Sequence, residues 1–211
     1  VRCDGFNAAG EPVGRGVVSP FIPMMAYTKD QTEDLGYAVV KSIIGESDCG
    51  WMYDVGEDRI LLMDHRGREA GKIAAYAGSP NSNDGARTTF QNFDETHRLY
   101  LPAHVKAHTT MLQNTFKRRD ADAWSMEQST APEAGQGSVH EDALEYAKQV
   151  AAGKIEDPRL FMFHRQATFP DGGLETRDQV RAYLLEASGP SADWSADIEG
   201  LVDHYFEPKT D

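Results

Sequence analysis

Two adjacent carboxylates, Asp94 and Glu95, follow a short β-prone run and carry the clearest chemical signal in this sequence. An aspartate at the end of a strand is well placed to hold Mg²⁺, and a glutamate directly after it can polarise a water molecule for attack on a phosphoryl group. The strand matters because metal and water must be held to within a fraction of an ångström. The alternative is a solvated turn that opens a helix, where acidic side chains suit the helix dipole.

The strand before this pair is predicted from the β-forming residues Thr89, Phe90 and Phe93. Gln91 and Asn92 interrupt the continuous apolar pattern that is typical of a buried parallel strand. The sequence therefore predicts a strand at this position that is more polar than a usual core strand.

A second polar segment follows in the order that phosphoryl chemistry would need. After a helix predicted from about Pro102 to Arg119, residues 123–128 alternate apolar and polar side chains as a strand does, and they end in Ser129-Thr130. In motor ATPases a hydroxyl pair beyond the neighbouring strand senses the γ-phosphate and passes on its loss. Taken alone, Ser129-Thr130 would be an ordinary polar turn.

This ordered set of segments resembles the large terminase subunit of tailed bacteriophages, the ATPase that drives DNA into a preformed capsid. The resemblance runs in order over nearly the whole chain. The segments that carry it are Asp4–Arg15, Tyr27–Asp34, Asp94–Arg98, Lys117-Arg118-Arg119 before Trp124, Ser129-Thr130-Ala-Pro with Gly137–Glu141, and Leu160–Ala167.

The resemblance implies a role for each polar residue of these segments. Catalysis is expected from Glu95, which would orient water, and from a transition-state charge supplied by Arg118 or Arg119, with Arg87 as a weaker candidate. The residues expected to bind the nucleotide are Asp94, which would also bind the metal, His97, Ser129 and Thr130. ATP and Mg²⁺ are the implied cofactors.

The implied fold is α/β: a partial P-loop NTPase core of the additional-Glu type, with a mainly parallel sheet flanked by helices. Residues 1–170 would form this core, and residues 171–211 a helical linker subdomain toward a nuclease domain that the sequence does not include. The implied partners are double-stranded DNA, the portal protein and the small terminase subunit, in a ring oligomer with no membrane. The implied location is the host cytoplasm, with transient docking on the procapsid.

The phosphate-binding motif of such enzymes is missing from the sequence. A P-loop has the pattern Gly-x-x-x-x-Gly-Lys-Ser/Thr, but the Gly-Lys pairs at Gly71 and Gly153 are followed by isoleucine and lack the upstream glycine. We therefore expect that Val1 is not the natural start of the protein. We also expect the missing strand to lie beside the strand of Asp94, so that its loss exposes sheet edges.

Composition limits the classes of function. The chain has 211 residues, and its 21 Lys and Arg against 34 Asp and Glu give a net charge of −13, which disfavours nucleic-acid binding outside a local basic patch. Lys117-Arg118-Arg119 is the compact basic cluster, although charge near a helix C-terminus would explain it equally well. Cys3 and Cys49 form no disulfide framework or zinc motif, and no apolar run is long enough to span a membrane.

Apolar periodicity and helix caps predict the remaining N-terminal elements. The first is a strand at Phe21–Ala26, in which Pro23 favours a strand start or a position at a sheet edge. A helix follows, capped by Thr28 and ended by Gly45, with Leu35, Val39 and Ile43 on its apolar side. A hairpin of Arg59–Met63 and Lys72–Tyr76 and a loop at residues 79–85 come next.

The same patterns predict the C-terminal elements. The first is a helix capped by Ser138, with Leu144, Ala147, Val150 and Ala151 on its apolar side. A strand at Arg159–Phe163 follows, with His164-Arg165 at a ligand-binding sheet edge or in solvent. Two helices, after Thr176 and after Ser195, are expected to bury Val180, Tyr183, Leu184, Ile198, Leu201 and Val202.

Other functions fit these motifs less well. His104 and His108 have helical spacing for zinc but lack the adjacent glutamate of a metalloprotease, so surface histidines or hydrogen-bonded helix histidines are the better interpretation. A Ser-His-Asp or Cys-His hydrolase is disfavoured because no Gly-x-Ser-x-Gly elbow is present and neither cysteine has a nucleophile motif. A helicase-like ATPase fragment and a catalytically inactive assembly module remain alternatives.

Overall fold

The computed structural model of the chain describes residues 2–77 and 85–208. The chain divides into two compact units with the boundary between Ile155 and Glu156, which is earlier than the predicted boundary after residue 170. Residues 79–84 of the predicted loop lie outside the described residues.

The first unit contains all the described strands. They are β1 (Arg2–Phe6), β2 (Pro12–Arg15), β3 (Phe21–Ala26), β4 (Tyr53–Val55), β5 (Arg59–Met63), β6 (Glu69–Ala77), β7 (Phe90–Asp94) and β8 (Trp124–Gln128). β1 and β2 form an antiparallel hairpin, and the other six form one sheet in the order β4-β5-β6-β3-β7-β8. The pairs from β6 through β3 and β7 to β8 are parallel, which confirms the predicted mainly parallel α/β sheet.

The α-helices of the first unit flank its sheet, and two further α-helices, the last two of the chain, belong to the second unit. They are α1 (Lys29–Thr32), α2 (Ala38–Gly45), α3 (Pro102–Thr115), α4 (Val139–Ala151), α5 (Arg177–Ser188) and α6 (Ile198–Tyr205). A π-helical turn at Glu33–Tyr37 joins α1 to α2. Among the described residues, no helix has both the length and the apolar character needed to cross a membrane.

The strand β3 lies in the centre of the sheet, so the expectation that Pro23 marks a strand start or an edge is wrong. In a parallel ladder, alternate residues turn their N–H and C=O groups toward the same neighbour. The Phe21 carbonyl accepts from Thr89, so the nitrogen of Pro23 also faces the β7 side. The paired register between β3 and β7 begins only at Met24, and the ladder therefore tolerates the missing N–H.

The helix after β3 buries a different face from the one predicted. Thr28 caps it as expected, since its hydroxyl accepts the Gln31 N–H at 3.1 Å. The predicted apolar stripe of Leu35, Val39 and Ile43 is exposed, however, whereas Tyr37 and Ile44 are buried. The π turn closes with wider i→i+5 hydrogen bonds, which rotates the following residues relative to a continuous α-helix.

Two apolar cores lie on opposite faces of the sheet because neighbouring side chains of a strand alternate in direction. Met24 packs with Tyr37, Ile44, Ile60 and Ala75. On the other face the buried residues are Met25, Phe93, Leu99, Ala107, Met111 and Val139. The second cluster joins β7 to α3 and α4.

The edges of the sheet differ from our expectation. β7 is paired with β3 on one side and with β8 on the other, so no place is left for a further strand beside Asp94. Among the described residues β8 pairs only with β7, and its side chains Trp124 and Met126 are exposed. The edge strands of the described sheet are therefore β8 and, at the other end, β4.

The second unit is helical, as predicted for the linker. Thr176 and Gln179 form a reciprocal capping box at the start of α5, and Val180 and Val202 pack with Leu174 in the core of the unit. Tyr183, Leu184 and Ile198 are partly buried against this core. Leu201 is exposed, contrary to prediction.

The predicted strand at Arg159–Phe163 is absent: this segment has no regular secondary structure in the described chain. Phe161 and Phe163 are exposed. A strand needs a hydrogen-bonded neighbour, and no described segment pairs with this one. His164 and Arg165 therefore do not lie at a sheet edge, and the His164 ring contacts Gln166 instead.

Candidate functional site

The parallel pairing of β7 with β8 brings the predicted polar residues to one edge of the sheet. The register runs from Phe90 opposite Trp124 to Asp94 opposite Gln128. Asp94 and the residues after Gln128 therefore leave the sheet side by side at the carboxyl ends of the strands. Open α/β sheets bind their ligands at this edge.

His97 connects the two polar segments. Its backbone N–H donates to Ser129 Oγ at 2.9 Å, and its ring Nδ1 lies 3.0 Å from the same oxygen. Thr130 Oγ1 is 3.4 Å from Nδ1, and on the other side of the ring Nε2 lies 3.6 Å from Glu95 Oε2. The structure thus places Glu95, His97, Ser129 and Thr130 together.

Ser129 Oγ bonds both the backbone and the ring of His97. Its oxygen accepts the His97 backbone N–H, and its hydroxyl proton can be donated to Nδ1. In the tautomer that accepts this proton at Nδ1, the ring N–H is on Nε2, which faces Glu95. Ser129 and His97 are therefore hydrogen-bonded, and the Glu95 carboxylate lies next to the ring at 3.6 Å, beyond hydrogen-bond distance.

This group has the composition of a hydrolytic triad but not its arrangement. In a hydrolytic triad the serine hydroxyl is bonded to the imidazole and its oxygen is free to attack, whereas Ser129 Oγ also accepts the His97 backbone N–H. The geometry gives no support to the disfavoured hydrolase interpretation.

The backbone is strained at the catalytic candidate. Glu95 has φ 55° and ψ 44°, in the left-handed region that glutamate rarely adopts. Such conformations cluster at functional sites, where the surrounding structure maintains them. Directly before it, Asp94 Oδ1 accepts the Glu95 N–H at 3.0 Å, which fixes the aspartate side chain at the strand end.

The donor set at Asp94 suits magnesium bound together with phosphates. No hydrogen bond engages Asp94 Oδ2 within the described chain, and no group of three or more metal-binding side chains is present in residues 2–77 and 85–208. Mg²⁺ commonly uses one or two carboxylates and completes its shell with substrate phosphates and water. A single half-buried aspartate fits that pattern and does not fit a structural zinc or calcium site.

Arg118 does not have the role expected for it. The helix α3 ends at Thr115, and the Arg118 guanidinium folds back to donate to the carbonyls of Val18 at 2.6 Å and Ser19 at 2.8 Å. It is buried, with 8% of its surface exposed. Arg118 therefore holds the segment before β3, and its charge is not presented to a ligand.

Arg119 and Arg87 are exposed, but they lie at the N-terminal ends of the strands, opposite the carboxyl ends where Asp94 lies. Arg87 precedes β7 and Arg119 precedes β8, and both strands run toward the carboxylate edge. Five residues of strand span about 16 Å. Neither arginine therefore lies near Asp94 in this fold.

The two histidines of α3 pack against other side chains of the first unit. His108 is buried; its Nε2 lies 2.9 Å from Glu127 Oε1, and its ring packs edge-on against Phe93. His104 packs edge-on against Tyr27. His108 is thus the hydrogen-bonded helix histidine of the two alternatives left open by the sequence, and no local pattern pointed to its partner Glu127.

The loop after Thr130 is fixed by a carboxylate. Ser138 caps α4 as predicted, accepting the Glu141 N–H at 3.2 Å. The Glu141 carboxylate accepts the N–H groups of Gly135 at 2.6 Å and Gly137 at 2.8 Å, which lowers the pKa of this side chain. Both glycines have positive φ, so the loop can turn its N–H groups inward. Of the predicted apolar side of α4, Leu144, Ala147 and Val150 are half-buried and Ala151 is exposed.

Comparison with known proteins identifies the fold. No family profile and no curated protein sequence matches this chain. The large terminase of bacteriophage HK97 has a TM-score of 0.64 at 11% sequence identity, over 90% of this chain and 37% of the HK97 chain. The ATPase domain of the Thermus phage P74-26 large terminase has a TM-score of 0.42 at 19% identity, over 55% of this chain and 49% of that domain.

The chain spans less than half the length of both structures. Over nine-tenths of its own residues it has the fold of the HK97 large terminase. The predicted resemblance to large terminases is therefore confirmed at the level of the fold.

Proposed function

We propose that this chain carries the hydrolytic carboxylates of an ATP-driven motor that moves double-stranded DNA into a phage capsid. The supporting observation is the group at the carboxyl edge of β7 and β8, where His97 joins Glu95 to Ser129. The terminase fold supports the same class of machine. The activity belongs to a longer protein that contains this chain, because the sequence lacks a phosphate-binding Gly-Lys-Ser/Thr loop.

Each residue of the group has a distinct task in this proposal. Asp94 would hold Mg²⁺ through Oδ2, which makes no hydrogen bond among the described residues, and Glu95 would orient the attacking water. When bound, Mg²⁺·ATP supplies the phosphoryl group and neutralises the charge that develops on it. Ser129 and Thr130 register the loss of the γ-phosphate, and His97 transmits that change to Glu95 through its two ring nitrogens.

The transition-state arginine comes from a neighbouring subunit. Arg119 and Arg87 are exposed at the sheet edge opposite Asp94, so either one serves a nucleotide only across a subunit interface. In a ring each subunit would present this edge to the next one. Such an arginine is worth several powers of ten in rate.

The partners are those of a packaging motor: double-stranded DNA, the portal protein and the small terminase subunit. The place of action is the host cytoplasm, with transient docking on the procapsid. The net charge of −13 means that contact with DNA needs a local basic surface or another part of the longer protein.

The decisive variant is Glu95→Gln in the longer protein. Because glutamine keeps the shape of the side chain but cannot polarise water in the same way, we expect ATP turnover to be abolished while nucleotide binding persists. Multiple-turnover hydrolysis and equilibrium nucleotide binding measure the two effects separately. The matched control is Glu57→Gln, at an exposed glutamate of the same unit. Retention of most activity by Glu95→Gln would disprove the assignment.

An inactive assembly module is the second candidate, and the missing phosphate loop favours it. It predicts that the longer protein neither binds nor hydrolyses ATP. The same turnover measurement on the unaltered protein distinguishes the two functions.

A further inference from the structure

A polar pair, buried His108 and half-buried Glu127, joins α3 to the end of β8. His108 on α3 is 6% exposed, and its Nε2 lies 2.9 Å from Oε1 of Glu127 on β8. Glu127 is opposite Phe93 in the sheet, and the His108 ring packs 4.4 Å from the Phe93 ring. The pair therefore lies one residue before Asp94 on β7 and two residues before Ser129 on the neighbouring chain segment.

This pair is not expected to add much to the free energy of folding. The second carboxylate oxygen, Glu127 Oε2, is buried and has no hydrogen-bond partner among the described residues. Burial of charged groups costs more than it returns unless their hydrogen bonds are complete, and apolar replacements of similar volume are often equally stable. Phe93 and the neighbouring apolar core would accept such a replacement.

The contact does give a geometric benefit. The chain passes from β7 through Glu95 and His97 into α3, and then returns as β8 to Ser129. The end of β8 is held to β7 by the backbone ladder and by the Gln128–Asn92 bond. Beyond β7 it contacts this unit at two further points, Ser129 to His97 and Glu127 to His108. A hydrogen bond with a defined direction at the second point sets the height of β8 relative to α3, which apolar packing does not.

We propose that His108 and Glu127 are a positioning pair that keeps Ser129 against His97. They touch neither nucleotide nor metal in the proposed function; they act through the end of β8. The inference rests on the proposed function in one respect, the functional role given to the Ser129–His97 contact. The contact itself is measurable in this chain without any nucleotide, so its outcome is independent of whether the longer protein hydrolyses ATP.

The His97 backbone N–H is the reporter, because it donates to Ser129 Oγ at 2.9 Å. Its hydrogen-exchange rate, measured by NMR, rises when Ser129 moves away. We compare the parent chain with the double variant His108→Leu/Glu127→Leu, which removes both polar partners and leaves no unpaired charge. The double variant should keep near-parental stability in urea unfolding. It should exchange the His97 amide at least tenfold faster than the parent, with the Phe93 amide unchanged.

The conservative variant Glu127→Gln is the rescue control. Its carbonyl oxygen can still accept a hydrogen bond from His108, so the His97 amide should stay within a few-fold of the parental exchange rate. A parental His97 exchange rate in the double variant would overturn the proposal. Failure of the double variant to fold would also overturn it, because the pair would then be a requirement of the fold.

Discussion

The left-handed backbone at Glu95 predicts that the site trades stability for function. A residue other than glycine in this region costs roughly 1–2 kcal/mol. Glycine removes that cost but loses roughly 0.5–1 kcal/mol through the greater freedom of the unfolded chain. For Glu95 at φ 55°, we therefore expect Glu95→Gly to be more stable than Glu95→Ala by a net of roughly 0.7 kcal/mol.

Alanine is the matched reference because both variants lose the same side chain. The Glu95 carboxylate lies 3.6 Å from His97 Nε2, with side-chain exposures of 27% and 23%, so its loss lowers stability equally in both. The glycine–alanine difference then reports the backbone alone. For a domain of this size it corresponds to about 2 °C in melting temperature. Urea unfolding of the chain supplies the free energies, and thermal unfolding supplies the independent check.

A second position shows whether the effect belongs to the conformation or to the site. Asp122 has φ 49° but lies before β8, away from the carboxylate edge. Asp122→Gly should likewise be more stable than Asp122→Ala, and in the longer protein it should leave ATP turnover unchanged. Equal stability of the glycine and alanine variants at Glu95 would refute the reasoning, because the backbone there would carry no strain.

Three further outcomes follow from the same geometry. Arg118→Ala should lower the free energy of unfolding by about 1.5–3 kcal/mol, because the part-buried bonds to the carbonyls of Val18 and Ser19 lose their charged donor. Arg119→Ala should change it by less than about 0.5 kcal/mol. Similar urea midpoints for the two variants would show that Arg118 is not structural. In the longer protein Asp94→Ala should weaken Mg²⁺·ATP binding; unchanged affinity would mean that Asp94 is an ordinary strand end. Thr130→Ala should reduce the amount of DNA packaged per ATP hydrolysed; an unchanged amount would mean that Thr130 belongs to an ordinary turn. The isolated chain should show no micromolar ATP affinity in calorimetry, because it lacks the backbone amides and lysine of a phosphate loop; micromolar binding would mean that the phosphate site lies elsewhere in this chain.

Local sequence patterns were sufficient for the elements that carry the site. Alternation predicted β8, the caps at Thr28, Ser138 and Thr176 were found at helix starts, and the carboxylate pair lies at a strand end. These features depend on residues that are near one another in the chain. Their local preferences agree with the final fold.

Other features depend on contacts that no local pattern encodes. The π turn at Glu33–Tyr37 moved the buried face of its helix, although the apolar spacing of Leu35, Val39 and Ile43 is regular. In the sequence Arg118 has the character of a basic surface residue, but in the structure it is buried and donates to the carbonyl of Val18. A strand also needs a partner, which the sequence of Arg159–Phe163 could not reveal. In each case a distant segment decides the outcome.

The location of the bound nucleotide is the most direct test of the account. Mn²⁺ replaces Mg²⁺ in complexes with ATP, and its unpaired electrons broaden the NMR signals of nearby amides. In the longer protein, Mn²⁺·ATP should broaden the amides of Glu95, His97 and Ser129 and leave those of Arg87 and Arg119 sharp within a single subunit. Broadening at the arginine edge of a monomeric protein, with sharp signals at Glu95 and His97, would contradict the assignment of this carboxylate edge as the ATP site.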